Sequence, residues 1–257
     1  LFANRNWHPL LEDTVRKAVD AGYQRILVLV TSAFSSYSGC RQYIEDLEQA
    51  SSELGQSAPI FHKIRPFYNS PGFISAVQDN LRLSIASLDA PHPHDVQVLF
   101  TAHSIPLEMA HHCEYESQLI EACGMVMMDF RDYAWQLVYQ SRSGSPNQLW
   151  LEPDINDVIP GLQEGHVVAC PIGFVSDHME VLFDLDHAAQ EHCLQAGKQF
   201  SRVGAVGTHP EFINGLVDLI EQRMGRLENV TVQGISGALP DQCPMGCCLP
   251  PSKTQEE

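Results

Sequence analysis

The sequence predicts an α/β protein in which parallel sheets are covered by crossover helices, and three observations carry the prediction. Short apolar, β-branched runs such as Arg25 to Thr31, Val96 to Thr101 and Val167 to Cys170 alternate with amphipathic helical patterns along the chain. The last of these runs is apolar throughout, as a strand covered on both faces is. Each run is also followed by a polar loop, respectively SAFSSYSG, AHSIP and PIGFVSDH. Ligands in open α/β sheets bind outside the carboxyl ends of the strands, so these three loops compete for the site.

The elements follow in order. Pro9 to Ala21 reads as a helix closed near Gly22, and Arg25 to Thr31 as a buried strand. A helix runs from about Cys40, His62 to Ile64 is a weaker strand, and Pro71 to Leu88 is a long amphipathic helix bridging two halves, with APHPHD as its linker. A second α/β unit opens with the strand Val96 to Thr101. It continues through a helix near Glu114 to Cys123, a further helix from about Met127 to Tyr139 holding Trp135, and the strand Val167 to Cys170. Gly204 to Gly207 leads into a last helix, Pro210 to Met224. The expected organisation is a first unit over 1–70, a bridge over 71–94, a second unit over 95–208, a C-terminal helix with a short extension over 209–232, and a Cys- and Pro-containing tail over 233–257.

Composition excludes several classes. A chain of 257 residues with 44% hydrophobic content buries a sizeable core. Its 32 acidic against 15 basic residues give a formal charge of −17, which repels phosphate backbones and anionic membranes and concentrates cations near acidic clefts. Nucleic acid is therefore not an expected partner. No apolar run approaches the roughly 18 residues of a membrane span, so no integral membrane segment is expected. Cys40, Cys113, Cys123, Cys170 and Cys193 are scattered rather than arranged as a secreted framework, which points to the cytoplasm. Cys243, Cys247 and Cys248 differ, crowding a tail (CPMGCC) where packing does not explain them. HExxH, a GKS/T phosphate loop, GxSxG and GxGxxG are all absent, which removes the usual sequence support for zinc proteolysis, nucleotide hydrolysis, serine hydrolysis and dinucleotide binding.

PIGFVSDHMEVLFDLD, residues 171–186, is the most informative stretch because it ends a buried strand and opens a helix carrying acids. Asp177 is the expected cap. Glu180 and Asp184, four apart, stack on one face while Val181, Leu182 and Leu185 turn inward. Glu180 alone is ordinarily a solvated helix acid, but after a glycine-containing turn at a strand end it reads as a cleft residue. His103 in FTAHSIP is a second strand-end group, with Ser104 able to fix its tautomer and Pro106 stiffening the loop. The pairs His92/His94 and His111/His112 read as surface residues.

NRNWHPLLEDTV, TSAFSSYSGCRQY, FTAHSIP and above all PIGFVSDHMEVLFDLD resemble the ferrochelatases, in the same order and over nearly the whole chain. The resemblance implies a chelatase-like fold of two Rossmann-like lobes with a porphyrin cleft between them, and insertion of ferrous iron, as substrate, into the macrocycle in haem biosynthesis. It maps His103 and Glu180 onto the metal-site pair, Asp184 onto an accessory acidic row, and Tyr43 onto a porphyrin contact. The wording of NWHP and YSGCRQY is most similar to the bacterial, coproporphyrin-using branch, with protoporphyrin IX as the alternative substrate. A non-catalytic porphyrin- or haem-binding module and a sirohydrochlorin-type chelatase are the competing readings.

The chain departs from the family pattern in three places. Ala188 stands where the acidic row usually continues. The family's first strand and loop are expected to precede Leu1. Finally, some members hold a [2Fe–2S] cluster on one internal and three C-terminal cysteines, and the resemblance implies Cys40, Cys243, Cys247 and Cys248 as such a set. Against the set stands the adjacency of Cys247 and Cys248, whose side chains should diverge; the plainer reading is an oxidisable tail.

Overall fold

The computed structural model describes residues 1–257 except 91, 145, 146, 230, 245 and 252–257; the expected linker and tail therefore lie partly outside the described residues. The first half of the chain supplies α1 (Leu11–Asp20), β1 (Arg25–Val28), a π-helical turn (Tyr37–Arg41) running into α2 (Gln42–Leu54), and β2 (Ile60–Lys63). β1 and β2 pair in parallel, Arg25 against Ile60 and Val28 against Lys63. β1 is shorter than the apolar run Arg25 to Thr31 and only half covered, because its pairing ends where the chain turns into the serine-rich loop.

α3 (Pro71–Ala86) follows, its first turn capped by Ser70 and opened by Pro71, whose missing N–H has no helical partner to lose. The second sheet is built from β3 (Val96–His103), β4 (Ala134–Gln140), β5 (His166–Cys170) and β6 (Gln199–Arg202), all parallel, in the order β4-β3-β5-β6. The chain leaves β3 for β4 on one side and then crosses back to place β5 on the other. The carboxyl end of β3 is therefore a topological switch point, where flanking loops part and a crevice opens.

Between these strands lie α4 (Leu107–Ala110), α5 (Tyr115–Met127), α6 (Ile155–Val158), α7 (Met179–Val181) continuing through a π-helical stretch (Leu182–Ala189) into α8 (Gln190–Gln195), and finally α9 (Pro210–Arg223). Alternation along β3 sorts the core. Val98, Phe100 and Ala102 face α3 and α5, where Phe73, Ile74, Leu81, Leu119 and Val126 are wholly buried. Leu99 faces the other way, onto Val181, Leu185 and Ala189. Each fully buried side chain of this size stabilises the fold by about 1.5–3 kcal/mol.

The helix expected from Met127 to Tyr139 is absent. α5 ends at Met127, and Ala134–Gln140 is strand β4, paired with β3 from Gln97–Ala134 to His103–Gln140. An apolar run of this length satisfies either period, and partnership with β3 decides for the strand. β6 was also not anticipated, since QFSR is short and mostly polar. Asp177 does not cap the next helix. His178 does, its Nδ1 accepting from the Val181 N–H, while Asp177 turns to Arg202 (2.7 Å) and the Ala205 N–H.

Candidate functional site

β3 continues two residues beyond its expected end, so His103 is the last residue of a buried strand rather than part of a loop. Its ring is held from two directions. Nδ1 bonds the Ser104 carbonyl, and because a carbonyl only accepts, Nδ1 carries a proton and donates it, which leaves Nε2 as the edge available to other partners. The backbone carbonyl of His103 accepts from the buried Tyr115 hydroxyl at 3.1 Å. The tautomer is thus set by the Ser104 carbonyl and not by its hydroxyl, which donates to Leu151.

Glu180 meets the free edge of that ring, with Oε1 3.3 Å from Nε2. Asp184 lands on the neighbouring strand tip, accepting from the Gln140 side chain at 3.2 Å and from the Ser141 hydroxyl. His103 and Gln140 are partners across β3 and β4. Two acids one helical turn apart therefore match two strand ends about 4.8 Å apart. Asp184 lies in the π-helical stretch, where a helix widens and side-chain rows shift. Ser141 adopts the left-handed backbone region (φ 62°), which bends the chain after β4 so that its hydroxyl reaches Asp184.

Two residues seat this helix, one of them the glycine of the turn after β5. Gly173 donates its N–H to the Thr101 carbonyl and lies so close to β3 that a Cβ there would stand 2.7 Å from the Ala102 Cα and Cβ. Arg202, on β6, bonds Asp177 at 2.7 Å and Asp186 at 2.5 Å, bracketing the segment that carries Glu180 and Asp184. A glycine at a strand end is the one signal that could have been read in advance.

His103 opens onto a cleft of about 460 Å³ whose walls come from both halves: Ser36, Gly39 and Tyr43 from the first, and Ile105, Met109 and Trp150 from the second. Tyr43 and His103 therefore share one cleft. Arg5 backs Tyr43, its guanidinium 5.0 Å from the ring centre and its Nε 2.5 Å from Asp46. Neither Glu180 nor Asp184 is part of the lining; Glu180 reaches the cleft only through its contact with His103.

The cysteines implied as a ligand set fall into two pairs. Cys40 Sγ lies 4.0 Å from Cys243 Sγ, and Cys247 Sγ lies 3.4 Å from Cys248 Sγ. Two thiolates on one tetrahedral metal at about 2.3 Å are roughly 3.8 Å apart, a value that lies between the separations of the two pairs. The adjacent cysteines do not diverge, because Cys248 is left-handed (φ 53°) and folds back while its N–H bonds the His112 carbonyl. The hydrogen bond with Cys243 and burial push the Cys40 thiol up, and the Lys63 ammonium acts against both. Among the described residues no three His, Cys, Asp or Glu side chains converge to hold a single ion, and His92/His94 and His111/His112 form no such site. None of the described helices is long and apolar enough to cross a membrane.

Comparison with known proteins decides the family. A family model described as ferrochelatase matches residues 1–224. The chain belongs to the ferrochelatase family. As a ferrochelatase it is a metal chelatase, a lyase that inserts ferrous iron into a porphyrin in haem biosynthesis. It is 46% identical to a ferrochelatase of Rhodopirellula baltica, covering 96% of this chain and 72% of that relative. It is 42% identical to a coproporphyrin III ferrochelatase of Streptomyces coelicolor, with the same coverage, and 39% identical to one of Mycolicibacterium smegmatis, over 91% of this chain and 70% of that one. Among solved structures, SirB from Bacillus subtilis with Fe3+ superimposes with a TM-score of 0.60 at 11% identity, over 84% of this chain and 78% of that one, a likeness of fold. The ferrochelatase fold here is accordingly the chelatase-like pair of parallel-sheet halves.

Proposed function

We propose that this ferrochelatase metallates coproporphyrin III, with His103 and Glu180 as the groups that handle metal and protons. The observation that carries the reading is the 3.3 Å approach of Glu180 to Nε2 of a histidine at the mouth of a two-walled cleft. Insertion releases two pyrrole protons and takes up one Fe²⁺ that has shed water. Nε2 has a lone pair to accept a proton or to ligate the incoming iron, and Glu180 stabilises the imidazolium that results or takes the proton on toward solvent. Asp184, turned onto Gln140 and Ser141, extends the acidic row. Tyr43, held by Arg5, supplies an aromatic wall for the macrocycle.

The choice of coproporphyrin III is supported by the names of the Streptomyces and Mycolicibacterium relatives. A non-catalytic binding module has no use for the His103–Glu180 pair. A cytoplasmic setting is supported by eight unbridged cysteines. The paired thiols fit a [2Fe–2S] cluster on Cys40, Cys243, Cys247 and Cys248, which when bound supplies a redox-active, cross-linking centre. The test is anaerobic titration of Fe²⁺ into protein with coproporphyrin III or protoporphyrin IX, following loss of the four-banded free-base spectrum. Faster metallation of coproporphyrin III is expected; equal or faster turnover of protoporphyrin IX overturns the substrate assignment. Two irons and two acid-labile sulfides per chain are expected in protein purified without oxygen, and their absence removes the cluster.

A further inference from the structure

The segment after α9 has few reasons to lie where it does. Ile235 is 97% exposed, so burial of apolar surface does not hold the stretch around it. Hydrogen bonds do, chiefly to a single carboxylate. Glu121, on α5, accepts four hydrogen bonds: from the Tyr68 hydroxyl at 2.8 Å, the Ile235 N–H at 2.6 Å, the Ser236 N–H at 3.0 Å and the Ser236 hydroxyl at 2.5 Å. Two successive backbone N–H groups point at one anion because Gly234 is left-handed (φ 79°), which folds 234–236 into an anion-binding concavity. A Cβ at 234 would stand 2.2 Å from Glu121 Oε1, so only glycine permits the approach. Burial alone would raise the Glu121 carboxyl, but the hydrogen bonds from Ser236, Tyr68 and Ile235 outweigh it and hold the group below its ordinary value. Asn69 grips the same stretch through its backbone and side chain, accepting from the Gln233 N–H and donating to the Gly237 carbonyl.

We infer that Glu121 is a positioning residue whose carboxylate clasps residues 234–236 and thereby delivers Cys243, Cys247 and Cys248 to Cys40. The inference rests on the cluster reading for its purpose but not for its test. Downstream of the clasp the chain passes Asp241, 3.7 Å from Arg223, and reaches Cys243 beside Cys40 and Cys248 beside His112. Each of those is a single contact, neutral at Cys243 and Cys248 and long at Asp241, whereas the clasp gives four bonds to one charged acceptor. Tyr68 is wholly buried and fixes the carboxylate from below, so the clasp is preorganised on the globule.

Glu121→Ala removes all four bonds while leaving a good helix former on α5, and Ser236→Ala removes one from the tail side. Hydrogen exchange at the Ile235 and Ser236 amides is the direct readout, with circular dichroism confirming that the globule stays folded. Exchange at both amides should rise at least tenfold in Glu121→Ala and less in Ser236→Ala, and iron and sulfide per chain should fall in the same order. Unchanged exchange in Glu121→Ala overturns the clasp whatever the metal content. Raised exchange with undiminished iron and sulfide overturns the delivery role. Wild-type protein that never holds iron or sulfide removes the cluster, and the clasp is then judged on exchange alone.

Discussion

His103 is asked to do two things that one imidazole does only when its other edge is fixed. The Ser104 carbonyl takes the Nδ1 proton, Glu180 faces Nε2, and the ring itself contributes little apolar wall to the cleft. His103→Ala should therefore abolish metallation, by more than about 10²-fold in rate, while porphyrin still quenches fluorescence on binding. A variant retaining a tenth of the rate would refute the role. Glu180→Gln should slow insertion severely and Asp184→Asn less, because Glu180 touches the ring whereas Asp184 is occupied by Ser141 and Gln140. A larger loss at Asp184 would place the inner end of the acidic row one turn further along. At this scale the sequence was readable for groups that carry chemistry, since a histidine and a carboxylate at strand ends advertise themselves. It was silent on their supports: Gln140, Ser141 and Arg202 look like any polar surface residues until the fold brings them together.

The elements that were legible have a readable start or a largely apolar run: Ser70 caps and Pro71 opens α3, Pro210 opens α9, and β3 and β5 are mostly apolar. Those misjudged owe their state to a partner. AWQLVYQ is a strand because β3 offers a parallel edge along seven residues, and QFSR is a strand because β5 does. Asp177 has the chemistry of a cap, but Arg202 competes for it with a charged, two-pronged donor, and His178 fills the vacancy. The helix that carries Glu180 is seated by one backbone contact, Gly173 on Ala102. Gly173→Ala should push that loop outward and cost about 1–3 kcal/mol of stability. Metallation should fall further than porphyrin affinity, because the His103–Glu180 distance depends on the contact. A variant with wild-type kcat and melting temperature would show that the loop yields freely.

Over the whole molecule the two halves meet through a buried amide. Gln118, on α5, accepts from the Ser35 N–H at 2.8 Å and donates to the Ser35 hydroxyl at 3.0 Å, locking the serine-rich loop after β1 onto the second half. Gln118→Leu keeps the volume but strands a buried N–H, at a cost of about 1–3 kcal/mol, and frees one wall of the cleft. A lowered denaturation midpoint with weakened porphyrin binding is expected; an unchanged midpoint would mean that aromatic packing around Phe34 suffices to join the halves. The switch point at β3 has one more consequence. The seven residues leading to His103 are buried and specified by packing, yet the eighth is accountable only to the crevice. The side chains of His103 and Glu180 can therefore be exchanged while Ala102, Gly173 and Val181, which carry the packing around them, stay in place. For an engineer seeking a catalyst that loads cobalt or nickel, this separation makes the scaffold a socket with exchangeable contacts, in which metal preference is retuned at those two side chains while the packed residues beneath them are kept.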